Sequence, residues 1–158
     1  MEKTLVILYS RTGNTRTVGE MIASAMSADL EIIQDQKSRA GFLGYIRAGR
    51  EALKRTPGLI KPPAMDPLDY DLVIIGSPVW AGHMASPVRA YIDANQGRFK
   101  QTALFCTEGG SGDKKVLAEM AMLCGCDPIN TLAITEKQLK SGEHNEAIKR
   151  FTESLTPP

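Results

Sequence analysis

Two uninterrupted apolar runs, Leu5-Val6-Ile7-Leu8 inside Thr4–Tyr9 and Leu72-Val73-Ile74-Ile75 before Gly76, constrain this chain more than any other feature. A strand with one wet face alternates apolar and polar residues, whereas these have no polar residue interposed. That is the pattern of strands buried on both faces of a parallel sheet, which needs helices above and below it. Three more runs have strand length: Leu30–Ile33, Thr102–Cys106 and Thr131–Ile134. Between the runs the apolar residues switch to helical spacing, at Val18, Met21, Ile22, Ala25 and Met26, at Val88, Tyr91 and Ile92, at Val116, Leu117, Met120, Ala121 and Leu123, and at Ile148, Phe151 and Leu155. Ser86 before Pro87 and Ser141 are expected N-caps, and Gly97 and Gly125 stand where helices should stop. Thr17 and Glu20 imitate a capping box but fall inside a stretch already helical by its spacing. Strand and helix therefore alternate, which predicts an α/β fold: one domain over residues 1–158, a three-layer, doubly wound, five-stranded parallel sheet with right-handed crossovers.

One connection is long. Residues 35–67 exceed an ordinary loop and are expected to hold a helix at Gly41–Arg55, with Phe42, Leu43, Ile46 and Leu53 toward the sheet. Pro57, Pro62, Pro63 and Pro67 then impose an extended return. The stretch carries Lys37, Arg39, Arg47, Arg50, Lys54, Arg55 and Lys61 against Glu51, a local basic surface in a chain whose formal net charge is only +1. Either it is a solvated helix face or it steers an acidic partner or an anionic substrate.

That near-neutral charge, with 23% charged and 42% hydrophobic residues, excludes a disordered tail and gives no general reason to expect nucleic-acid binding. No apolar run approaches the ~20 residues of a membrane span. Cys106, Cys124 and Cys126 lack zinc-ligand spacing and lie far from His83 and His144, so no metal site is expected. The first residues read as a strand rather than a secretory leader, and free thiols in a cytoplasmic setting are the expectation.

Three loops carry the chemistry. Ser10-Arg11-Thr12-Gly13-Asn14-Thr15 leaves the first strand and opens the first helix, so backbone N–H groups and hydroxyls converge at the positive end of a helix dipole, a place suited to phosphate. It is neither a Walker loop nor a dinucleotide fingerprint, because the glycines those require are absent. Hydroxyls in their place favour a terminal monoester phosphate, although a capped turn rich in Ser and Thr would have the same composition. The second loop, Ser77-Pro78-Val79-Trp80-Ala81-Gly82-His83-Met84-Ala85-Ser86-Pro87, follows the third strand and holds the chain's single tryptophan, either a stacking surface for a flat ring or a residue tucked under its own loop. His83 is expected as an exposed loop side chain, with proton donation at the site as the alternative. The third, Thr107-Glu108-Gly109-Gly110-Ser111-Gly112-Asp113, follows the fourth strand and can wrap a ligand with backbone groups. In an open α/β sheet all three emerge at the carboxyl edge, where ligands bind at the switch point.

With these loops the chain resembles the flavodoxin-like FMN-binding proteins over essentially its whole length. Ser10, Thr12, Gly13, Asn14 and Thr15 match that family's phosphate loop, Ser77–Gly82 ahead of Pro87-Val88-Arg89 its second flavin loop, and Thr107–Gly112 its third. The resemblance implies strand order 2-1-3-4-5 and non-covalent FMN, with the Ser10, Thr12 and Thr15 hydroxyls on phosphate, Trp80 beside the ring and Gly82 near its N5. Arg11, Pro78, Val79, Ala81, Thr107, Glu108, Gly109, Gly110 and Gly112 complete the expected cofactor site. Two departures stand out: electron-carrier flavodoxins are strongly acidic, and residues 107–113 here contain no aromatic, leaving one ring face open. Three functions follow. The first is electron transfer between a reductase and an acceptor; the second is an FMN-dependent NAD(P)H:quinone-type reductase acting on a small aromatic acceptor; the third is a non-catalytic adaptor. No catalytic acid or base is expected for the first.

Overall fold

The structure, a computed structural model, describes residues 2–36, 44, 46–50 and 59–158. Among the described residues there are six strands: β1 (Thr4–Leu8), β2 (Asp29–Ile32), β3 (Leu72–Trp80), β4 (His83–Met84), β5 (Thr102–Glu108) and β6 (Thr131–Thr135). Outside the long connection, the α-helices among the described residues are α1 (Asn14–Met26), α2 (Ser86–Ala94), α3 (Asp113–Cys124), α4 (Glu136–Ser141) and α5 (His144–Leu155). The parallel order is β2-β1-β3-β5-β6, the expected 2-1-3-4-5 of the five long strands, with the short β4 antiparallel to β3.

Strand geometry divides the core in two, because successive side chains point to opposite faces. Leu5 and Ile7 of β1 and Val73 and Ile75 of β3 join Val88, Tyr91 and Ile92 of α2 and Val116 and Met120 of α3. Val6, Leu8, Leu72 and Ile74 join Val18 and Ile22 of α1 and Phe151 and Leu155 of α5 on the other face. The unbroken apolar runs are thus explained by burial on both sides. Where β3 and β5 run side by side, a Cβ at Gly76 would lie 2.0 Å from Phe105 Cζ, so the Phe105 ring occupies the space a side chain would take.

Several sequence expectations are corrected. Ser86 does not cap α2: it is the first helical residue, Ala85 holds the cap position, and no side chain caps the helix. Ser141 does not cap the last helix: it ends the short α4, Gly142 at φ 85° closes that helix, and Glu143 holds the cap position of α5. The cap of α4 is Thr135, whose Oγ1 accepts from Gln138 N–H while Gln138 Oε1 accepts from Thr135 N–H, a reciprocal box. Within the long connection residues 46–50 are helical as expected, but Ile46 is 41% exposed and it is Ala48 that is buried. Phe42, Leu43, Leu53 and Pro57 and the basic residues Lys37, Arg39, Lys54 and Arg55 lie outside the described residues. The connection departs and returns through a short antiparallel stem, with Gln36 N–H on Leu59 O and Lys61 N–H on Gln34 O, both at 2.9 Å.

Candidate functional site

The first loop turns because Gly13 adopts φ 103°, left-handed backbone that residues with a Cβ avoid. Gly13 occupies the cap position of α1 and no side chain caps the helix, so the first-turn N–H groups are directed out of the sheet edge without a side-chain acceptor. Ser10 Oγ accepts from Gly13 N–H at 3.1 Å and so braces the turn. Thr15 is buried, and its hydroxyl meets that of Thr107 at 2.7 Å, tying the first loop to the third. Thr12, Asn14 and Arg11 stand at the mouth; Arg16 pairs with Glu20 on the surface instead.

The second loop is a tight hairpin. β3 continues to Trp80, beyond the run that predicted it, and Ala81 at φ 49° and Gly82 at φ 77° reverse the chain so that Trp80 pairs with His83 and Val79 with Met84. Two consecutive positive φ values suit the right-handed twist of a two-residue hairpin. Trp80 is no free platform: it is 8% exposed and meets Tyr9 edge-to-face, ring centroids 5.5 Å apart. Ser77 is buried and accepts from Ala85 N–H at 2.9 Å, closing the base of the hairpin.

His83 is not exposed. It is buried, with Nδ1 2.9 Å from Glu119 Oε2, and Glu119 Oε1 accepts from Arg89 at 2.6 Å and from Met84 N–H at 3.2 Å. Burial pulls the Glu119 carboxyl upward, but the His83 and Met84 hydrogen bonds and the Arg89 charge outweigh it and hold the group below its ordinary value. A carboxylate on α3 therefore clamps the β3–β4 hairpin to the start of α2.

The third loop touches the second: a Cβ on Gly112, itself at φ 105°, would sit 3.0 Å from Val79 Cγ1 and 3.6 Å from the Gly82 Cα. Glu108, at the end of β5, is buried, and its Oε2 has no hydrogen-bond partner. Burial, reinforced by the Asp113 charge and opposed by a hydrogen bond from the Asp113 backbone, raises its carboxyl above the ordinary range.

Between these loops lies a cleft of about 240 Å³. Its walls are Arg11, Thr12, Asn14 and Thr15 from the first loop, Pro78, Val79 and Trp80 from the second, and Thr107, Glu108 and Gly109 from the third. Of the expected site residues, Ser10, Gly13, Ser77, Ala81, Gly82, Gly110 and Gly112 do not line it; they shape or brace the loops that do. Glu136, in the first turn of α4, lines it and was not expected, although Thr135-x-x-Gln138 marks the start of that helix in the sequence. With Glu108 and Glu136 beside Arg11, the wall carries more acid than the neutral overall charge suggests. Among the described residues no cluster of His, Cys, Asp and Glu could hold a metal, and no helix is long and apolar enough to cross a membrane. Cys106 and Cys124 are buried thiols pushed up to about 12 mainly by burial, and Cys126 is free and partly exposed.

The sequence pattern of the flavodoxin family matches residues 3–154. The chain belongs to the flavodoxin family. Among solved structures, a flavoprotein of Lactobacillus acidophilus in complex with FMN superposes with a TM-score of 0.74 at 23% identity, covering 89% of this chain and 98% of that one. The two-electron reduced flavodoxin of Megasphaera elsdenii gives a TM-score of 0.59 at 15% identity, covering 96% of each. An NAD(P)H dehydrogenase (quinone) of Chromohalobacter salexigens is 27% identical over 121 residues, 70% of this chain. The present chain spans 56% of that relative's length. With the two solved structures the chain shares the fold.

Proposed function

We propose that this flavodoxin binds FMN non-covalently in the three-loop cleft and transfers electrons between a reductase and an acceptor. The observation that carries the reading is the side-chain-free N-terminus of α1 opening into the cleft beside Thr12, Asn14 and Thr15. These are donors matched to a terminal phosphate at the positive end of a helix. The wall fits the other end of the cofactor too: Glu108 Oε2 is a buried acceptor with no partner, and the flavin ring edge carries an N–H that needs one. Bound FMN supplies a ring that accepts and releases electrons. The chain's part is to hold the phosphate with Thr12, Thr15 and first-turn N–H groups, to orient the ring between the Val79–Trp80 segment and Gly109, and to limit water with Trp80.

A second reading, an FMN-dependent NAD(P)H:quinone reductase, is favoured by the similarity to the NAD(P)H dehydrogenase (quinone) of Chromohalobacter salexigens and by the absence of an aromatic from residues 107–113. The test is FMN uptake by the purified protein followed by anaerobic stepwise reduction. Two resolved one-electron steps support the carrier. A single two-electron step with direct NAD(P)H oxidation supports the reductase, and no uptake of FMN refutes both and leaves an adaptor.

A further inference from the structure

A second cavity, of about 320 Å³, lies against the cofactor cleft and shares Arg11, Val79 and Trp80 with it. Its remaining wall comes from Ala81 of the hairpin tip and from Ile46, Ala48, Gly49 and Arg50 of the long connection. The volume sits at the low end of the ~300–1,000 Å³ usual for small-molecule sites. Its surface is mostly apolar: Ala48 and Trp80 form a buried floor, and Ile46, exposed to 41%, stands at the rim. The polar groups with net charge are both arginines, Arg11 and Arg50, and Arg50 is exposed. No acidic side chain is among the residues lining the cavity, so Arg11 and Arg50 make the field at its entrance favour anions.

From this juxtaposition we infer that the cavity is a binding site for a planar, largely apolar organic anion, a fused-ring carboxylate or sulfonate whose rings lie against the apolar wall that Ile46, Val79 and Ala81 form over the largely buried Trp80 and Ala48, and whose acid group meets Arg50. Apolar walls bind the rings by removing them from water, and a guanidinium selects the acid through parallel N–H···O bonds. The site meets the phosphate loop only at Arg11: neither the α1 N-terminus nor the third loop contributes to it. Its place beside the cleft rests on the FMN reading for its use, since that is where a small electron acceptor would reach the ring, but not for its existence.

Anthraquinone-2-sulfonate, with 2-(hydroxymethyl)anthraquinone as the neutral control, tests this by calorimetry on FMN-loaded protein. The sulfonate should bind at least about tenfold more tightly than the neutral control, and Arg50→Ala should remove about tenfold of that affinity, ~1.4 kcal/mol, while Arg50→Lys restores part of it. Lys61→Ala, on the same basic stretch but outside the cavity, should leave sulfonate binding within twofold, and added FMN should not displace the sulfonate. Equal binding of the two probes, no effect of Arg50→Ala, displacement by FMN, or no binding overturns the proposal. FMN uptake is measured separately on the same variants. A protein that takes no FMN yet binds the sulfonate through Arg50 refutes the cofactor reading and keeps this site, and the converse refutes this site alone.

Discussion

Glu119→Gln keeps the volume of the α3 side chain and removes its charge, which isolates what the clamp on the second loop is worth. In the wild-type protein one carboxylate receives His83, the Met84 N–H and Arg89, with the Glu119 and Arg89 side chains only 15% and 11% exposed. Gln retains an acceptor but leaves the Arg89 guanidinium buried without a counter-charge, and Arg89 Nε already has no partner. Removing one member of a fully buried pair costs about 3–5 kcal/mol; with residual exposure on both sides, about 2–3 kcal/mol is expected here. The pH dependence has a definite sign. The Glu119 carboxyl is depressed in the folded state, so its contribution is complete above the unfolded carboxyl value of about 4.3 and is lost as pH falls through the folded value. Urea unfolding at pH 7 should show the full gap between wild type and Glu119→Gln, and the gap should narrow progressively as the pH falls below that unfolded value. Because the clamp holds the base of the Ala81–Gly82 hairpin, FMN affinity should fall in the same variant. Equal stability at pH 7, or a gap that persists unchanged at pH 3, would refute the clamp.

Further consequences are as direct. Thr12→Ala with Thr15→Ala should weaken FMN binding, each lost phosphate donor costing about 1–3 kcal/mol, and a fluorescence titration that finds unchanged affinity contradicts the phosphate assignment. Gly76→Ala should lower stability by about 1–3 kcal/mol, read by thermal unfolding, because its Cβ would collide with the Phe105 ring at 2.0 Å. In the native protein a thiol reagent should modify Cys126 quickly and spare buried Cys106 and Cys124, whose thiols are pushed up to about 12; rapid modification of all three contradicts the packing of β5 and α3.

The sheet was legible because burial on both faces writes itself into consecutive residues: Leu5–Leu8 and Leu72–Ile75 have only one way to hide. The cleft was legible for a related reason. Loops at the carboxyl edge inherit their positions from the strands, and Thr12, Asn14, Thr15, Trp80 and Thr107 all come together there. What escaped was set by distant partners. His83 read as an exposed loop residue because its carboxylate, Glu119, lies a helix away in sequence, and a polar residue on α3 gives no sign of which loop it meets. Tyr9 read as the end of a strand, yet its ring fixes Trp80. The β4 strand was hidden because Ala81 takes a left-handed conformation more usual for Gly or Asn, so the two-residue turn lacked its ordinary marker. The cap at Ala85 was hidden because its backbone N–H is held by Ser77 of β3, eight residues away, whereas Thr135-x-x-Gln138 is a local box that the sequence displays.

The most direct test is a paired titration of the purified protein with FMN and with riboflavin, which carries the same ring without the phosphate, followed by quenching of flavin fluorescence. If the open end of α1 with Thr12 and Thr15 holds the phosphate, FMN should bind at least about thirtyfold more tightly than riboflavin, ~2 kcal/mol. Equal affinity for the two, or no quenching by either, would contradict the account.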